Sequence, residues 1–376
     1  GIWLVLQSAP SRPSEPRVVA MSEACDEGCL RLLPGIPSSF AETLRKRSGL
    51  DPLPAVDAGT SPARAAELFR SEGVVAIRGA LGGELLSRLR AKCATVMEDI
   101  VQHDPSRLGS RGPLRYSFGG SSSTGAQLHH AEWAALVDLP AVTPVLDEIW
   151  GSADYACHTA GGDFCLSGAP GHQNLHADAW FPDCEKCDTA PRIAVNFLID
   201  DQTAFNGPLR VVPGTHRQAF RRRGQRGTPR VEEEPEEWVL STMCPLPAGT
   251  ALVRDLRLWH GGTPNLTLSH RAMPNVEFTA PWLLGAGQKG GAVEVAKSMP
   301  HELWEGLSER GKHLARLVRA EKGKALAPRV EFDIPLGGRG WSQDFFNGAD
   351  LAPFFQVCRD ALPVSGPDAP AGAVCL

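Results

Sequence analysis

The sequence predicts a mainly β protein, an antiparallel sandwich or barrel with α-helices on both sides of it in the chain. Two observations favour this class. The chain contains 39 glycines and 31 prolines among 376 residues, which favours many short strands and turns over a helical bundle. From about residue 153 to 283, short apolar runs alternate with turn residues, whereas apolar residues spaced by three or four positions occur before and after this region.

The N-terminal part is predicted to change from a flexible lead to a helical region. Residues 1–58 are rich in Pro, Ser and Gly and show little periodicity, apart from one helix expected near residues 38–48. Order is expected to begin at Ser61, a good N-cap that is followed by proline at the first helical position. The first predicted element is a helix over 61–71, which Gly73 terminates. A strand at 74–77 and helices at 82–102 and 140–150 follow it.

The β region and the C-terminal part complete the predicted organisation. The predicted strands cover 164–166, 193–199, 209–212, 238–241, 250–253 and 275–279. Ser298 is expected to cap a helix that runs to Val318, and the last dozen residues are expected to be disordered. The domain prediction is a lead at 1–58, one domain at 59–283 with a β core from about 153, and a helical extension at 284–376 with a disordered tail.

Composition narrows the range of functions. A formal charge of −5 and a pI near 6.1 argue against nucleic acid as the main partner. No stretch approaches the roughly 18 consecutive apolar residues of a membrane helix, and we expect no signal peptide and no C-terminal peroxisomal signal. Ten scattered cysteines form no disulfide framework, which favours reduced thiols in an intracellular, cytoplasmic protein. Oligomeric state is not indicated.

Three residues with metal-binding side chains are the main functional candidates. His176 and Asp178 are two positions apart, so on a strand both side chains point to the same face. His260 follows a predicted strand and could complete the set from a neighbouring strand. Two imidazoles and one carboxylate form the facial triad of non-haem Fe(II) oxygenases, which leaves positions open for other ligands. Arg271 lies shortly afterwards and could anchor the carboxylate of an organic acid co-substrate.

The surroundings of these residues resemble the phytanoyl-CoA dioxygenase family of Fe(II)/2-oxoglutarate oxygenases. The resemblance covers roughly residues 62–283, and four blocks occur in the family's order. They are GHQNLHADAW at 171–180, NGPLRVVPGTH at 206–216, DLRLWHGGTPN at 255–265 and RAMPNVEF at 271–278, and EGVVAIRGAL at 72–81 resembles the family's entry strand.

The resemblance implies a double-stranded β-helix, or jelly roll, with flanking helices. It implies that His176, Asp178 and His260 are the iron ligands and that Arg271 pairs with the distal carboxylate of 2-oxoglutarate. Thr263 could donate a hydrogen bond from its hydroxyl to 2-oxoglutarate, and Gln173 could reach the co-substrate or the substrate.

The implied reaction consumes 2-oxoglutarate and O2, releases succinate and CO2, and hydroxylates an aliphatic C–H of a small-molecule or lipid-like substrate. Related halogenases lack the carboxylate ligand, so the presence of Asp178 favours hydroxylation.

Two other functions remain compatible with the residues. One is a cupin-like metalloenzyme that uses Zn or Mn, in which Arg271 would have no evident purpose. The other is a non-catalytic jelly-roll binding module. Substrate selection is expected from loops near 103–130, 181–190 and 217–237, which carry no recognisable motif.

Two further patterns are interpreted without a catalytic role. Cys184 and Cys187 form a lone Cys-X-X-Cys pair, which favours adventitious thiols over a zinc site. The segment 217–237 carries clusters of arginine and then glutamate. We interpret it as a solvated loop between two strands. The alternative is a lid over the iron, in which the arginines contact an anionic substrate.

Overall fold

The computed structural model describes residues 53–119, 126–169, 172–178, 189–217, 234–235, 242–285, 295–324, 326 and 341–342. The chain divides into two units, Gly1–Arg31 and Leu32–Leu376, and every described residue belongs to the second. The predicted helix near 38–48, the predicted strand at 238–241 and the pair Cys184 and Cys187 lie outside the described residues.

The helices lie before and after the β region, as predicted. The described α-helices are α1 (Pro62–Glu72), α2 (Gly83–His103), α3 (Ala131–Ala134), α4 (Thr143–Trp150), α5 (Pro281–Gly285), α6 (His301–Glu305) and α7 (Glu309–Leu314). Single 3₁₀ turns occur at Gln127–His129, Ala135–Asp138 and Thr215–Arg217.

The strands are short, except for two long neighbouring strands, the fourth and the tenth in chain order. They are β1 (Ala55–Asp57), β2 (Val74–Arg78), β3 (Arg115–Gly119), β4 (Ala156–Cys165), β5 (His172–Gln173), β6 (Arg192–Phe197), β7 (Leu209–Val211), β8 (Ala251–Asp255), β9 (His260–Gly262), β10 (Arg271–Thr279) and β11 (Trp341–Ser342).

A seven-stranded major sheet has the order β1-β2-β8-β6-β10-β4-β3. Among the described strands of this sheet, β1 and β2 pair in parallel and the other neighbours are antiparallel. A second layer consists of the antiparallel pairs β7–β9 and β5–β11. A bridge between His176 and His260 joins the chain after β5 to β9.

The major sheet separates two apolar clusters, because its strands alternate between two faces. On β2, Val75 and Ile77 belong to the larger cluster, which contains the helices, whereas Val74 and Ala76 belong to a smaller one. The smaller cluster also includes Leu209 of β7 and therefore joins the two sheets. Two facing antiparallel sheets with helices packed outside are a jelly roll, which confirms the predicted fold class.

Local chemistry explains where the first helix begins and ends. Proline occupies the first turn of α1, where a missing N–H breaks no helical hydrogen bond. Gly73 follows the helix at φ 82°, and its N–H donates to Phe69 O. The predicted helix at 61–71 is therefore confirmed.

Two predictions about the C-terminal half differ from the structure. In place of one helix from Ser298 to Val318, the short helices α6 and α7 are separated at Gly306, and the hydroxyl of Ser308 caps the second by accepting from Gly311 N at 2.8 Å. Glu234 lies in the segment expected to be solvated, yet its side chain is fully buried and pairs with the fully buried guanidinium of Arg210.

Among the described residues, no helix is long and apolar enough to cross a membrane. The described cysteines are Cys93, Cys157, Cys165 and Cys244, and each is buried and not disulfide-bonded.

Candidate metal centre

The three predicted ligand residues come together between the two layers. One potential ligand atom from each of His176, Asp178 and His260 lies within 4.8 Å of the others. Backbone pairing produces this convergence, since His176 and His260 exchange both backbone hydrogen bonds at 3.0 Å, and Asp178 N donates to Leu256 O at 3.0 Å. Both imidazoles are thus held by the contact of β9 with the chain after β5, and the carboxylate is held by the contact of that chain with the turn before β9.

Backbone carbonyls orient both imidazoles in the same way. His176 Nδ1 lies 3.0 Å from Asn174 O, and His260 Nδ1 lies 2.9 Å from Leu258 O. A carbonyl only accepts, so each Nδ1 carries the proton and each Nε2 presents its lone pair. The Nε2 atoms face Asp178, at 3.5 Å from His176 and 3.3 Å from His260. This donor set fits a divalent metal ion.

Arg254, on β8, is a contact of the centre that the sequence did not indicate. Its Nη2 donates to Asp178 Oδ2 at 2.7 Å, which leaves the other carboxylate oxygen, Oδ1, toward His176. Its Nη1 lies 3.1 Å from His260 Nδ1, and this is a close contact because that nitrogen already carries the proton donated to Leu258. Arg254 therefore fixes the carboxylate from the side of the major sheet.

Electrostatics favour the protonation states that a metal site needs. Burial, together with the charge of Arg254, lowers the pKa of His260 to about 4. For Asp178, burial alone would raise the pKa, but His260 and Arg254 together hold it well below its usual range. At neutral pH the centre therefore offers a neutral imidazole and an ionised carboxylate.

A cavity of about 540 Å³ opens beside the three residues, within the size range of small-molecule sites. Arg271, at the start of β10, lies in its wall and is 4% exposed. Its Nη2 donates to Gly207 O at 2.6 Å, but its buried Nε has no partner among the described residues. Arg271 is thus a buried cation in the cavity wall, with one buried donor that no described residue satisfies.

A second arginine in the same wall, Arg115, was also missed. Arg115 and Arg271 both pair with Cys165 of β4, one from each side, so their side chains emerge at the same end of the cavity. Burial lowers the pKa of Arg115, and the neighbouring charge of Arg271 lowers it further. No sequence signal identifies Arg115, because it lies in a stretch without a recognised motif.

The two remaining predicted site residues differ in their placement. Gln173 lies in the cavity wall, and its amide oxygen accepts from Gly262 N at 3.1 Å. Thr263 is 4% exposed, does not line the cavity, and donates its hydroxyl to Pro208 O at 2.6 Å. The hydroxyl proton of Thr263 is thus already used within the protein, in contrast to the expected free donor.

A cavity with two histidines and one carboxylate at its wall, between the layers of a jelly roll, defines the class of 2-His-1-carboxylate metalloenzymes. The model of the phytanoyl-CoA dioxygenase (PhyH) family matches residues 69–273, which is more than half of the 376-residue chain. The chain belongs to the phytanoyl-CoA dioxygenase family. It is therefore an oxygenase-type enzyme that depends on Fe(II), 2-oxoglutarate and O2.

Several solved structures are similar to this chain. AviO1 from Streptomyces viridochromogenes Tue57 is 18% identical, with a TM-score of 0.41 over 59% of this chain and 96% of that one. The α-ketoglutarate-dependent carbocyclase SnoK from nogalamycin biosynthesis is 16% identical, with a TM-score of 0.44 over 60% and 87%. The epimerase SnoN from the same biosynthesis is 17% identical, with a TM-score of 0.42 over 58% and 83%. No curated protein matches the chain.

Proposed function

We propose that this enzyme hydroxylates an aliphatic C–H bond of a small-molecule substrate and converts 2-oxoglutarate to succinate and CO2. In this proposal His176, Asp178 and His260 hold Fe(II). Their convergence on one point at the wall of a cavity is the observation that carries the proposal. Bound iron would supply the oxidative chemistry, and the protein supplies orientation and a site that limits access of water.

The protein's own groups prepare the centre for this task. The carbonyls of Asn174 and Leu258 fix the imidazole tautomers, so the lone pairs need no reorganisation on metal binding. Arg254 restrains one oxygen of Asp178, which favours binding of the metal through the other. A single carboxylate keeps the charge of the ligand set low, which suits a metal that must also accept an anionic co-substrate.

Arg271 and Arg115 form the proposed site for the distal carboxylate of 2-oxoglutarate. Both are buried cations at one end of the cavity, and Arg271 has an unused Nε donor. A carboxylate there would satisfy that donor and reduce the repulsion between the two guanidinium groups. Gln173 lies in the same wall and could contact 2-oxoglutarate or the substrate through its amide NH₂.

An anaerobic titration tests the assignment. Fe(II) with 2-oxoglutarate is expected to produce the weak visible charge-transfer band of the chelate, and Asp178→Ala should abolish it. Arg271→Leu should instead weaken 2-oxoglutarate binding while the protein still binds iron. Folded wild-type protein that shows no band, and that binds zinc or manganese without an effect of 2-oxoglutarate, would refute the proposal in favour of another metalloenzyme.

A further inference from the structure

The inner face of the major sheet continues well beyond the proposed 2-oxoglutarate end. Arg271 and Glu277 both line the cavity, and they are six residues apart on β10. At about 3.4 Å per residue, this separation is on the order of 20 Å, farther than an extended five-carbon diacid reaches. The end of the cavity near Glu277 is therefore available to another molecule.

Glu277 is held in place by a buried histidine. His158 Nε2 lies 3.2 Å from Glu277 Oε2, and His158 Nδ1 lies 3.0 Å from the hydroxyl of Thr279. A neutral imidazole satisfies both contacts, because Nε2–H donates to the carboxylate while Nδ1 accepts from the hydroxyl. The other oxygen of Glu277 has no hydrogen-bond partner among the described residues and belongs to a side chain in the cavity wall.

Neighbouring polar side chains on this face also have unused groups. Thr159, which pairs with Glu277 across the strands, has a buried hydroxyl without a partner in the described part of the chain. Asn196, paired with Asn275, is 2% exposed, and its Oδ1 is equally unpartnered there. All four of these side chains line the cavity. A buried polar group without a partner costs about 1–3 kcal/mol, so such a group is a candidate for ligand binding.

We propose that His158, Thr159, Asn196, Asn275 and Glu277 form a polar subsite that binds hydroxyl or amino groups of the substrate. The proposal rests on the proposed function and names its substrate class, a compact molecule with several hydrogen-bond donors in place of a long alkyl chain. The groups of these five residues are mainly acceptors: a carboxylate oxygen, an amide oxygen and a hydroxyl. Arg192, in the same wall, carries a positive charge that interacts with Glu277. An alkyl chain packed against this surface would displace water from these polar groups without replacing the hydrogen bonds that the water had made.

Binding of defined probes tests the polar subsite. Saturation-transfer NMR on the zinc-loaded full chain with 2-oxoglutarate would compare myo-inositol, glucosamine and hexanol. We expect myo-inositol or glucosamine to bind and hexanol not to bind. A preference for glucosamine would indicate an amine at Glu277, and a preference for myo-inositol would indicate hydroxyl groups. Binding of hexanol alone, or of no probe, would overturn the proposal.

Two variants separate binding from folding. Glu277→Gln should lower the affinity for the probe about tenfold or more, because a charge-assisted hydrogen bond is replaced by a neutral one. Thr159→Val should weaken it as well, yet leave the free energy of unfolding unchanged or higher, because an unpartnered buried hydroxyl is removed. Glu98→Gln, on the exposed side of α2, is the matched control and should bind as wild type.

The outcomes distinguish this inference from the proposed function. If wild-type protein shows the Fe(II)/2-oxoglutarate band but both variants bind the probe as tightly as wild type, the polar subsite is wrong and the oxygenase site stands. If the band is absent, the proposed function itself has failed.

Discussion

The buried ion pair between Arg210 and Glu234 allows a quantitative prediction. Both side chains have 0% exposure, and both terminal nitrogens of Arg210 donate to the carboxylate, Nη2 to Oε1 at 3.1 Å. Nη2 also donates to Gln173 O at 2.5 Å, while the Nε has no partner among the described residues. The pair therefore connects β7, the β5 segment and a glutamate distant from both in sequence.

Glu234→Ala should strongly destabilise the protein. The substitution leaves a guanidinium buried without its counter-charge, which costs about 3–5 kcal/mol. At roughly 2–4 °C per kcal/mol for a domain of this size, Tm should fall by about 6–20 °C. Thermal and urea unfolding of the metal-free chain would measure the loss.

Two comparisons make the magnitude interpretable. The double variant Arg210→Met with Glu234→Leu removes both charges and should recover most of the stability, since apolar replacements of buried pairs are often neutral. Glu309→Ala breaks an exposed pair, in which the glutamate side chain is 91% exposed, and should cost less than about 1 kcal/mol. A cost below about 1 kcal/mol for Glu234→Ala would refute the burial of this pair.

Two further predictions concern the co-substrate and pH. Arg271→Lys should weaken 2-oxoglutarate binding by about tenfold or more, because an ammonium cannot donate two parallel hydrogen bonds to a carboxylate. Isothermal titration would measure the affinity. An affinity equal to wild type would refute the role of Arg271 in binding the distal carboxylate of 2-oxoglutarate. Burial, with the charges of Arg210 and Arg115, holds the pKa of His172 well below 6.5, so its contribution to stability is present above about pH 6.5 and is lost as the pH falls below it. The free energy of unfolding should therefore decrease from pH 7 to 5, and the decrease should be smaller in His172→Asn. A slope equal to wild type in that variant would refute the reasoning.

Much of the fold could be predicted because local signals agreed with tertiary packing. Proline in the first turn and Gly73 after the last turn defined α1, and the spacing of apolar residues defined α2. The two-residue spacing of His176 and Asp178 likewise indicated that they share a face. In each case the determining interactions lie within one element or its immediate neighbours.

The residues that could not be predicted owe their positions to strand register. Arg115 approaches Arg271 only because both strands pair with the same residue of β4. Arg254 reaches Asp178 because β8 places it on the inner face of the sheet, where an apolar residue would be expected from the strand pattern. Thr263 follows β9 directly and is not in the cavity wall, and its hydroxyl donates a hydrogen bond to Pro208 O. Register is a property of the assembled sheet, and a single sequence reports it weakly.

The glycine after His260 lies in a close backbone contact that the sequence pattern does not indicate. A histidine followed by two glycines is unremarkable as a pattern, yet a Cβ at Gly261 would lie 2.7 Å from the backbone oxygen of Gln173. Backbone cannot yield as a flexible side chain does, so the β5 segment must move away from β9. These two segments hold His176 and His260 through their paired backbone hydrogen bonds, and the imidazoles should separate with them.

Gly261→Ala should therefore lower metal affinity as well as stability. A displacement of the ligands by a few tenths of an ångström is comparable to the tolerance of metal–ligand distances, so we expect an affinity loss of about tenfold or more. Anaerobic Fe(II) titration at a temperature where the variant is folded would measure it. Gly59→Ala is the matched control, because a Cβ there meets nothing within 4 Å. Wild-type iron affinity in folded Gly261→Ala would show that the close approach of β9 to Gln173 does not set the positions of the two histidines.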